Sequence, residues 1–371
     1  MLTATTFTDA PGRPLLLLGS SVGTSAESLW ARCAERLYGD YHVVGFDLPG
    51  HGRSAPAPGP WRIPDVAREV VALADRIRPG ESFRYAGDSI GGAVGLQLLL
   101  DFPERVAAAA LLCTGAKIGE ASAWHDRAKL VRAEGTEAVV AGSIERWFAP
   151  GLAASVADPL LAALRATDAE SYAQACLALA DFDVREQLAE ITAPVLAVAG
   201  ALDRPTPPDG LAEIAETVLD GRLVVLDGVA HLAPAESPEI VAFLLDQHFD
   251  SQRAAGTRVR REVLGPAHVD RATAGTTAFT RDFQDLITRY AWGEIWTRDG
   301  LPRRDRSLIT LTALIALGHH EELAMHVRAA RTNGLSVDEI KEVILQTAIY
   351  CGVPAANTAF RIAQRVLEES Q

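Results

Sequence analysis

The sequence is poor in cysteine and contains no long apolar run. Its 371 residues include only four cysteines, Cys33, Cys113, Cys176 and Cys351, and no CxxC pair. This argues against a disulfide scaffold or a zinc ribbon and favours a reducing compartment. No stretch approaches the roughly 18 apolar residues of a spanning helix, and the start lacks the charged and apolar regions of a signal peptide. We therefore expect a cytoplasmic protein with no membrane partner.

The overall composition is that of a folded protein with an uneven charge. Hydrophobic residues make up 48% and charged residues 22% of the chain, which excludes general disorder, and the length suits two domains. The formal net charge of −13 divides into −15 over residues 1–250 and +2 over residues 251–371. Net acidity over most of the chain argues against a nucleic-acid partner.

Six short apolar runs in the first 250 residues, each followed by turn residues, predict buried strands. They are residues 14–20, 42–48, 83–88, 108–114, 195–200 and 223–228. Runs of this kind are typical of parallel strands covered on both faces, and amphipathic segments lie between them. The alternation predicts a mostly parallel, doubly wound α/β sheet. Residues 115–190 are too long for one crossover, so we expect a helical cap over the carboxyl edge of the sheet.

The pattern changes after residue 250. Residues 250–257 have the polar and small-residue composition of a linker. Beyond them, apolar positions recur at helical spacing and no convincing strand is present, which predicts about six helices. Ser336 and Glu339 have the spacing of a capping box. We therefore expect two domains, an α/β domain over residues 1–250 and an all-α domain over residues 257–371.

A nucleophile elbow is predicted at the end of the third apolar run. Residues 87–91 read Gly-Asp-Ser-Ile-Gly, a G-x-S-x-G pentapeptide between a strand and a helix, and this context favours Ser89 as a nucleophile. Asp203 follows the fifth apolar run and His231 follows the sixth, in the chain order Ser, acid, His. Asp227 is the competing acid, but it falls within the strand run before His231, so we prefer Asp203.

An acyl-transfer site also needs donors for the developing oxyanion. We expect one from the backbone N–H of Ile90, at the start of the elbow helix. The other should come from the loop after the first apolar run, Gly19 to Thr24, where Val22 is our choice.

In the second domain, Glu322 and His326 are four residues apart on one helix, so they share a face as a functional pair or a surface charge pair. A metal site is an alternative, because His319 and His320 precede them. The spacing from His320 to His326 is two residues too long for H-E-x-x-H, so no metal is predicted. The CxxC–x3–His helix of small hydroperoxidase-partner proteins would place cysteines at His319 and Glu322, so dithiol chemistry is absent.

The first domain resembles the α/β-hydrolases of the 3-oxoadipate enol-lactonase family. The matching segments are the elbow and residues 20–24, 47–54, 124–135, 172–183, 202–208 and 230–238. One departure is Asp88 in the elbow, where the family usually has an apolar or small residue. The resemblance implies a carboxylate-bearing lactone as substrate, for which Arg127, Trp124 and Trp147 of the cap are candidate donors. Trp124 is preferred because it lies in a matched segment.

The second domain closely resembles 4-carboxymuconolactone decarboxylase. The matching segments are residues 258–272, 283–298, 303–318, 322–335 and 350–360. The resemblance implies a cofactor-free decarboxylation of a dianion. Arginine forks suit carboxylates. The candidates are Arg260, Arg261, Arg306 and Arg331. His326, oriented or charged by Glu322, is the expected proton donor.

Together the two resemblances imply a bifunctional enzyme of the β-ketoadipate pathway, in protocatechuate and wider aromatic hydrocarbon catabolism. It would decarboxylate 4-carboxymuconolactone to 3-oxoadipate enol-lactone and hydrolyse that product to 3-oxoadipate. The expected partners are small lactones and further copies of the chain. One alternative is a general carboxylesterase or acyltransferase with a non-catalytic helical oligomerisation domain. Another is a module that binds a lactone without turnover, although an intact triad speaks against it.

Overall fold

The structure is a computed structural model that describes residues 2–37, 41–249, 251–277 and 279–368. The chain divides into two compact units, Met1–Phe249 and Asp250–Gln371, called here the hydrolase unit and the helical unit. Among the described residues, no helix combines the length and the apolar character that crossing a membrane would require.

The hydrolase unit is built on a seven-stranded sheet with the order β1-β3-β2-β4-β5-β6-β7. The strands are β1 Thr3–Thr8, β2 Leu15–Gly19, β3 His42–Asp47, β4 Phe83–Asp88, β5 Val106–Leu112, β6 Val195–Gly200 and β7 Gly221–Leu226. All neighbours pair in parallel except β1 with β3. Every residue of β2, β3 and β6 is buried, as expected for strands covered by helices on both faces. The predicted doubly wound sheet is confirmed.

The edge strand β1 was not predicted. Its sequence, TATTFT, lacks a continuous apolar run, and most of its residues are half-buried or exposed. β-branched threonine nevertheless suits a strand that has one partner and one open edge. A search for fully buried strands misses such an edge.

Helices cover both faces of the sheet. Outside the cap they are α1 Ala26–Ala34, α2 Ile63–Ile77, α3 Ile90–Asp101, α8 Pro208–Thr217, α9 Ala233–Glu236 and α10 Pro238–Phe249. Helix α2 buries one face, with Val66, Val70 and Leu73 at helical spacing. Helix α3 is buried on all sides from Ile90 to Leu99, because it packs against the sheet directly after the elbow.

The predicted cap lies between β5 and β6 and is helical. It comprises α4 Ala121–Glu134, α5 Val140–Trp147, α6 Ala154–Ala166 and α7 Ala169–Ala180, with 3-10 turns at Thr136–Val139 and Arg185–Glu190. An isolated β-bridge between Lys117 and Asp183 joins the two ends of the cap segment.

The helical unit has no strand among its described residues. Its helices are α11 Ser251–Leu264, α12 Pro266–Ala274, α13 Arg281–Leu286, α14 Arg303–Leu317, α15 His320–Thr332, α16 Val337–Cys351 and α17 Val353–Glu368, with a π-helical segment at Ile287–Ile295. Leu311, Val327, Ile344 and Val366 lie in a core shared by α14 to α17. The predicted capping box is confirmed, since Ser336 Oγ accepts from the N–H of Glu339 at 3.1 Å and the Glu339 carboxylate accepts in return.

The interpretation of residues 250–257 as a linker is wrong, because helix α11 begins at Ser251. Gly256 is a packing residue within that helix. A Cβ at this position would lie 2.0 Å from the carbonyl oxygen of Thr288, so its absence lets α11 approach the π-helical segment. The composition of a flexible linker and that of a close helix contact are alike at this length, because both use small residues.

Candidate active sites

Ser89 lies on a sharp turn between β4 and α3. Its φ of 56° and ψ of −117° are unusual for a residue with a side chain and mark a strained elbow. The turn is held by hydrogen bonds from the Ser89 N–H to the Leu112 carbonyl at 2.9 Å and from the Thr114 hydroxyl to the Ser89 carbonyl at 2.7 Å.

The two elbow glycines are required by close backbone contacts. A Cβ on Gly87 would lie 2.2 Å from the carbonyl oxygen of Gly91, and one on Gly91 would lie 2.6 Å from the carbonyl oxygen of Gly19. These distances are too short for any side chain, so the G-x-S-x-G spacing follows from packing between strand and helix.

The structure brings Ser89, His231 and Asp203 together. Ser89 Oγ is 3.0 Å from His231 Nε2, and His231 Nδ1 is 2.9 Å and 3.0 Å from the two Asp203 carboxylate oxygens. All three side chains are buried. Burial lowers the pKa of His231, but the charge and hydrogen bond of Asp203, together with the charges of Asp88 and Glu236, make the net shift upward. This arrangement suits a base that takes the serine proton and is held in one tautomer by the acid.

Asp203 is itself fixed by Thr206. The Thr206 N–H donates to Asp203 Oδ1 at 3.0 Å, and its hydroxyl donates to Oδ2 at 2.7 Å. Asp227, the competing acid, is exposed and follows β7 rather than lying within it. Thr206 was not singled out from the sequence, although its place three residues after the acid is a usable signal.

Ile90 directly follows the serine, and Val22 lies in the loop whose Ser21 is hydrogen-bonded to Asp88. Ile90 is the first residue of α3, where a backbone N–H has no acceptor within its own helix. In the described part of the chain, neither the Val22 nor the Ile90 N–H donates to a protein acceptor. The loop of Val22 is covered by the cap, since a Cβ on Gly23 would lie 3.2 Å from Tyr172 and 3.3 Å from Trp147.

Glu236 links the loop of His231 to the cap through hydrogen bonds. Its carboxylate accepts from the N–H groups of Ala149, Ala230 and Leu232 at 3.0 to 3.3 Å. The His231 N–H also donates to the carbonyl oxygen of Trp147 at 3.1 Å. Trp147 therefore contacts both the loop that carries Val22 and the backbone of His231.

The cap carries two neighbouring arginines. The guanidinium of Arg127 stacks over Trp124 at 5.1 Å. Burial and the positive charge of Arg127 lower the pKa of Arg146. Arg127 also lies close enough to Tyr172 to oppose the upward shift that burial causes in its pKa. The indole N–H of Trp124 donates to the Ile118 carbonyl at 2.5 Å, so this preferred ligand donor already has a protein acceptor. Arg146 was missed at the sequence level.

In the helical unit, His326 faces a tryptophan pair. Its ring stacks on Trp296 with 6.5 Å between ring centroids, and Trp296 lies 5.0 Å from Trp292. Burial lowers the pKa of His326 to about 4, a larger effect than the upward influence of Glu322. Within the described residues, buried His326 Nδ1 has no hydrogen-bond partner. Glu322 is exposed.

Arg260 is the buried arginine among those of the helical unit whose burial the structure describes. Its guanidinium donates to Gln284 Oε1 at 3.1 Å and to Thr288 Oγ1 at 3.2 Å, while buried Nε has no partner among the described residues. Burial lowers its pKa. His268 interacts electrostatically with both Arg260 and His326. Burial and the positive charge of Arg260 lower the pKa of His268, and the charge of His268 in turn lowers the pKa of His326. His268 was not singled out from the sequence, although it lies in a matched segment.

The other predicted arginines have partners outside this cluster. Arg261 pairs with Asp270. Arg306 donates to the carbonyl oxygens of Arg298 and Leu301, and Arg331 donates to that of Leu335. Among the described residues, no group of three or more His, Cys, Asp or Glu side chains could hold a metal ion.

A buried triad on a strained elbow, at the carboxyl edge of a mostly parallel sheet, defines the class of α/β-hydrolases. Comparison with known proteins agrees. Residues 13–158 match the alpha/beta hydrolase fold, and residues 281–365 match the carboxymuconolactone decarboxylase family. The enol-lactonase from Burkholderia xenovorans superposes with a TM-score of 0.63 at 28% identity, covering 67% of this chain and 95% of that one.

Two curated relatives from Acinetobacter baylyi align with the chain. 3-oxoadipate enol-lactonase 2 is 36% identical over 61% of this chain and 85% of its own length. 4-carboxymuconolactone decarboxylase is 49% identical over 32% of this chain and 90% of its own length. The chain is therefore a fusion that belongs to the 3-oxoadipate enol-lactonase family through its hydrolase unit and to the carboxymuconolactone decarboxylase family through its helical unit.

Proposed function

We propose that this chain catalyses two consecutive steps, decarboxylation of 4-carboxymuconolactone in the helical unit and hydrolysis of the resulting 3-oxoadipate enol-lactone in the hydrolase unit. The observation that carries the hydrolytic step is the Ser89–His231–Asp203 contact on the elbow. The decarboxylation is supported by the buried guanidinium of Arg260, whose charge lowers the pKa of His268, and by His326, whose pKa burial and His268 lower.

In the hydrolytic step, Ser89 Oγ attacks the lactone carbonyl while His231 Nε2 takes the hydroxyl proton. The backbone N–H groups of Val22 and Ile90 stabilise the oxyanion, and the loop of residues 19–24 that carries Val22 is called the oxyanion loop. The ring C–O bond then breaks and the enolate leaves with little need for an acid, since it relaxes to the ketone. Water activated by His231 attacks the acyl-enzyme and releases 3-oxoadipate. Asp203 keeps the imidazole in the required tautomer.

The carboxylate of the enol-lactone requires a cation in the cap. Arg127 is supported by its place beside Tyr172, which covers the oxyanion loop, and Arg146 adds a second positive charge next to it. Trp147 supplies an apolar wall that touches the same loop. Trp124 orients Arg127 by stacking rather than by donating its N–H.

The decarboxylation needs no external electron sink. The departing carboxylate is on the γ carbon of an unsaturated lactone, so its bonding electrons form a new C=C bond as CO2 leaves. The original double bond shifts, and the charge reaches the lactone carbonyl oxygen as a dienolate. A proton delivered to the α carbon then gives the enol-lactone. The protein must bind a dianion, stabilise the dienolate and supply that proton.

His326 is the proposed proton donor, with Glu322 as its neighbour on the same helix. Because burial lowers the pKa of His326 to about 4, the imidazole is neutral at pH 7 in the absence of a ligand. A bound dianion favours the imidazolium, since an opposite charge nearby raises the pKa of histidine. Arg260 is the proposed carboxylate ligand, because its guanidinium is buried and its protein partners are neutral.

A comparison of ester substrates tests this assignment. We expect kcat/KM for 3-oxoadipate enol-lactone to exceed that for simple aryl acetates, and CO2 to be released from 4-carboxymuconolactone by the same preparation. Faster turnover of the aryl esters, with no CO2 release, would instead favour a general esterase with a helical oligomerisation domain.

We also infer a homo-oligomer formed through the helical unit. Large apolar side chains are exposed there, with Ile349 and Tyr350 each 79% and Val353 72% accessible. Patches of this kind mark interaction surfaces. Light scattering after size exclusion should give more than one chain per particle, and Ile349→Glu should lower that mass. A monomeric wild type would rule out this interface.

The domain limits and location are further inferences. We assign the two activities to residues 1–250 and 257–371, in line with the two compact units. A cytoplasmic location is supported by four cysteines that all carry free thiols. Fractionation of the source cells would test it.

A further inference from the structure

Asp88 is a buried carboxyl group directly before the proposed nucleophile. It ends strand β4, and no part of it is accessible to solvent. Carboxyl groups are rarely buried completely unless they are paired or carry out a function. The proposed mechanism gives Asp88 no role, so its burial calls for another explanation.

The carboxyl group contacts the loop that carries Val22. Ser21 donates its hydroxyl to Asp88 Oδ2 in a short hydrogen bond, and Ser21 Oγ is also 3.4 Å from the Asp88 carbonyl oxygen. The Ser21 carbonyl in turn accepts from the N–H and the hydroxyl of Thr24, at 3.1 and 2.9 Å. Ser21 thus joins the turn around Val22 to the end of β4, next to Ser89.

The second carboxyl oxygen has a different environment. Buried Asp88 Oδ1 has no hydrogen-bond partner among the described residues. Asp47, at the end of β3, provides a contrast, because both of its oxygens accept backbone N–H groups, from Ala26 at 2.7 Å and Arg53 at 2.8 Å. Each oxygen of Asp47 therefore accepts a hydrogen bond, as a buried carboxylate requires. Among the described residues, only one side-chain oxygen of Asp88 does so.

We propose that Asp88 is a positioning residue that holds the oxyanion loop through Ser21, and that it does so as a neutral carboxylic acid. The proposal rests on the hydrolytic half of the proposed function. The carbonyl oxygen of the acid accepts the Ser21 hydroxyl, which fixes the N–H of Val22 relative to Ser89. Loss of the acid's proton would place a negative charge beside the developing oxyanion.

The charged groups around Asp88 support the neutral form. Burial raises the pKa of Asp88 to about 8, while His231 and the Ser21 hydroxyl lower it by less. Asp203 and Glu236 raise it further, and the Cys113 thiol packed on the same side has a raised pKa of its own. Of these groups only His231 can carry a positive charge, and Asp203 already pairs with it.

The rate of labelling by diisopropyl fluorophosphate tests the proposal without any lactone. In this reaction Ser89 Oγ forms a bond to phosphorus, fluoride leaves, and His231 takes the hydroxyl proton. Asp88→Ala should slow labelling by roughly tenfold to a hundredfold, because an oxyanion donor is displaced rather than removed. Asp88→Asn should stay close to wild type, since its amide oxygen still accepts from Ser21.

The pH profile separates positioning from simple structural support. Wild-type labelling should decline as the pH rises past about 8, where Asp88 ionises, and Asp88→Asn should remove that decline. Asp47→Asn is the matched control and should keep it. With the enol-lactone, Asp88→Ala should lower kcat with little change in KM, because the donor acts in the transition state.

Coupling to Ser21 completes the test. Ser21→Ala should match Asp88→Ala, and the double variant should be no slower than either, because both act through one hydrogen bond. The proposal is overturned if folded Asp88→Ala labels at the wild-type rate, or if Asp88→Asn is as slow as Asp88→Ala. If these labelling results hold but the wild type does not hydrolyse the enol-lactone, the substrate assignment fails and the role of Asp88 stands.

Discussion

The two units contain sites of opposite character. In the hydrolase unit, Ser89, His231 and Asp203 form a chain of hydrogen bonds that is complete within the protein, and Thr206 fixes its far end. In the described part of the helical unit, buried polar atoms of the proposed site are left without partners, namely His326 Nδ1 and Arg260 Nε.

The difference follows from which partner, enzyme or substrate, supplies the reactive groups in each reaction. A serine hydrolase must supply its own nucleophile and base, so their hydrogen bonds exist before substrate binds. Decarboxylation of an unsaturated lactone uses an electron sink within the substrate, so the protein supplies charge, shape and one proton. An incompletely partnered, cationic site is therefore what the second reaction requires.

The largest expected effect is that of removing the nucleophile. Ser89→Ala should reduce enol-lactone hydrolysis by about a millionfold, as loss of a triad serine does elsewhere. Decarboxylation should continue at the wild-type rate, because its site belongs to the other unit. CO2 release and lactone absorbance measured on the same sample would check both. Loss of both activities in a folded variant would contradict the separation of the sites.

The reciprocal variant acts on the helical unit. His326→Ala should slow decarboxylation by about a hundredfold to ten-thousandfold, the range typical of a lost general acid. Enol-lactone hydrolysis should not change. His320→Ala, an exposed histidine at the start of the same helix, is the matched control and should keep full activity. Wild-type CO2 release from His326→Ala would remove this residue from the mechanism.

Changing Arg260 should have a smaller effect that falls on binding. Arg260→Met should raise KM for 4-carboxymuconolactone by about tenfold or more, since a charge-assisted hydrogen bond is lost. It should not destabilise the fold, because Arg260 has no carboxylate partner among the described residues and a buried, unpaired cation is costly. Arg261→Met, which removes a partly exposed arginine paired with Asp270, is the control. Equal KM values for the two variants would argue against a carboxylate site at Arg260.

The smallest expected effect is on stability in mild acid. The pKa of His326 is about 4 in the folded chain, against 6.5 for an ordinary histidine, so the unfolded state takes up a proton first as the pH falls. Its contribution to stability is present above pH 6.5 and is lost toward pH 4. His326→Gln should therefore reduce the loss of urea resistance between pH 7 and pH 5. His51 and His248 have the same sign in the hydrolase unit, so part of the loss should persist.

The hydrolase fold was predictable because its signals are local and redundant. Apolar runs marked β2 to β7, and the elbow glycines reflect contacts that no side chain permits. Strand β1 was missed because its threonines form no buried run, and residues 250–257 were misinterpreted because small residues serve both linkers and packed helices. The sequence-based preference for Asp203 rested on placing Asp227 within a strand, but Asp227 follows the end of β7, and it is the contact with His231 that supports Asp203.

The helical site was less predictable because helical spacing reveals a face but not what the face meets. Glu322 and His326 could be paired from their spacing, whereas Arg260, His268 and Trp296 come together only through the packing of three helical segments. Four arginines looked equivalent in the sequence. Burial and hydrogen bonding distinguish Arg260 from the other three.

The central claim is that one chain performs both steps, and a time course with 4-carboxymuconolactone tests it most directly. The purified protein should release one CO2 for each 3-oxoadipate formed, with the enol-lactone appearing only transiently. The Ser89→Ala variant should release the same CO2 while the enol-lactone remains. A wild-type protein that releases no CO2, or that releases it without forming 3-oxoadipate, would contradict the account.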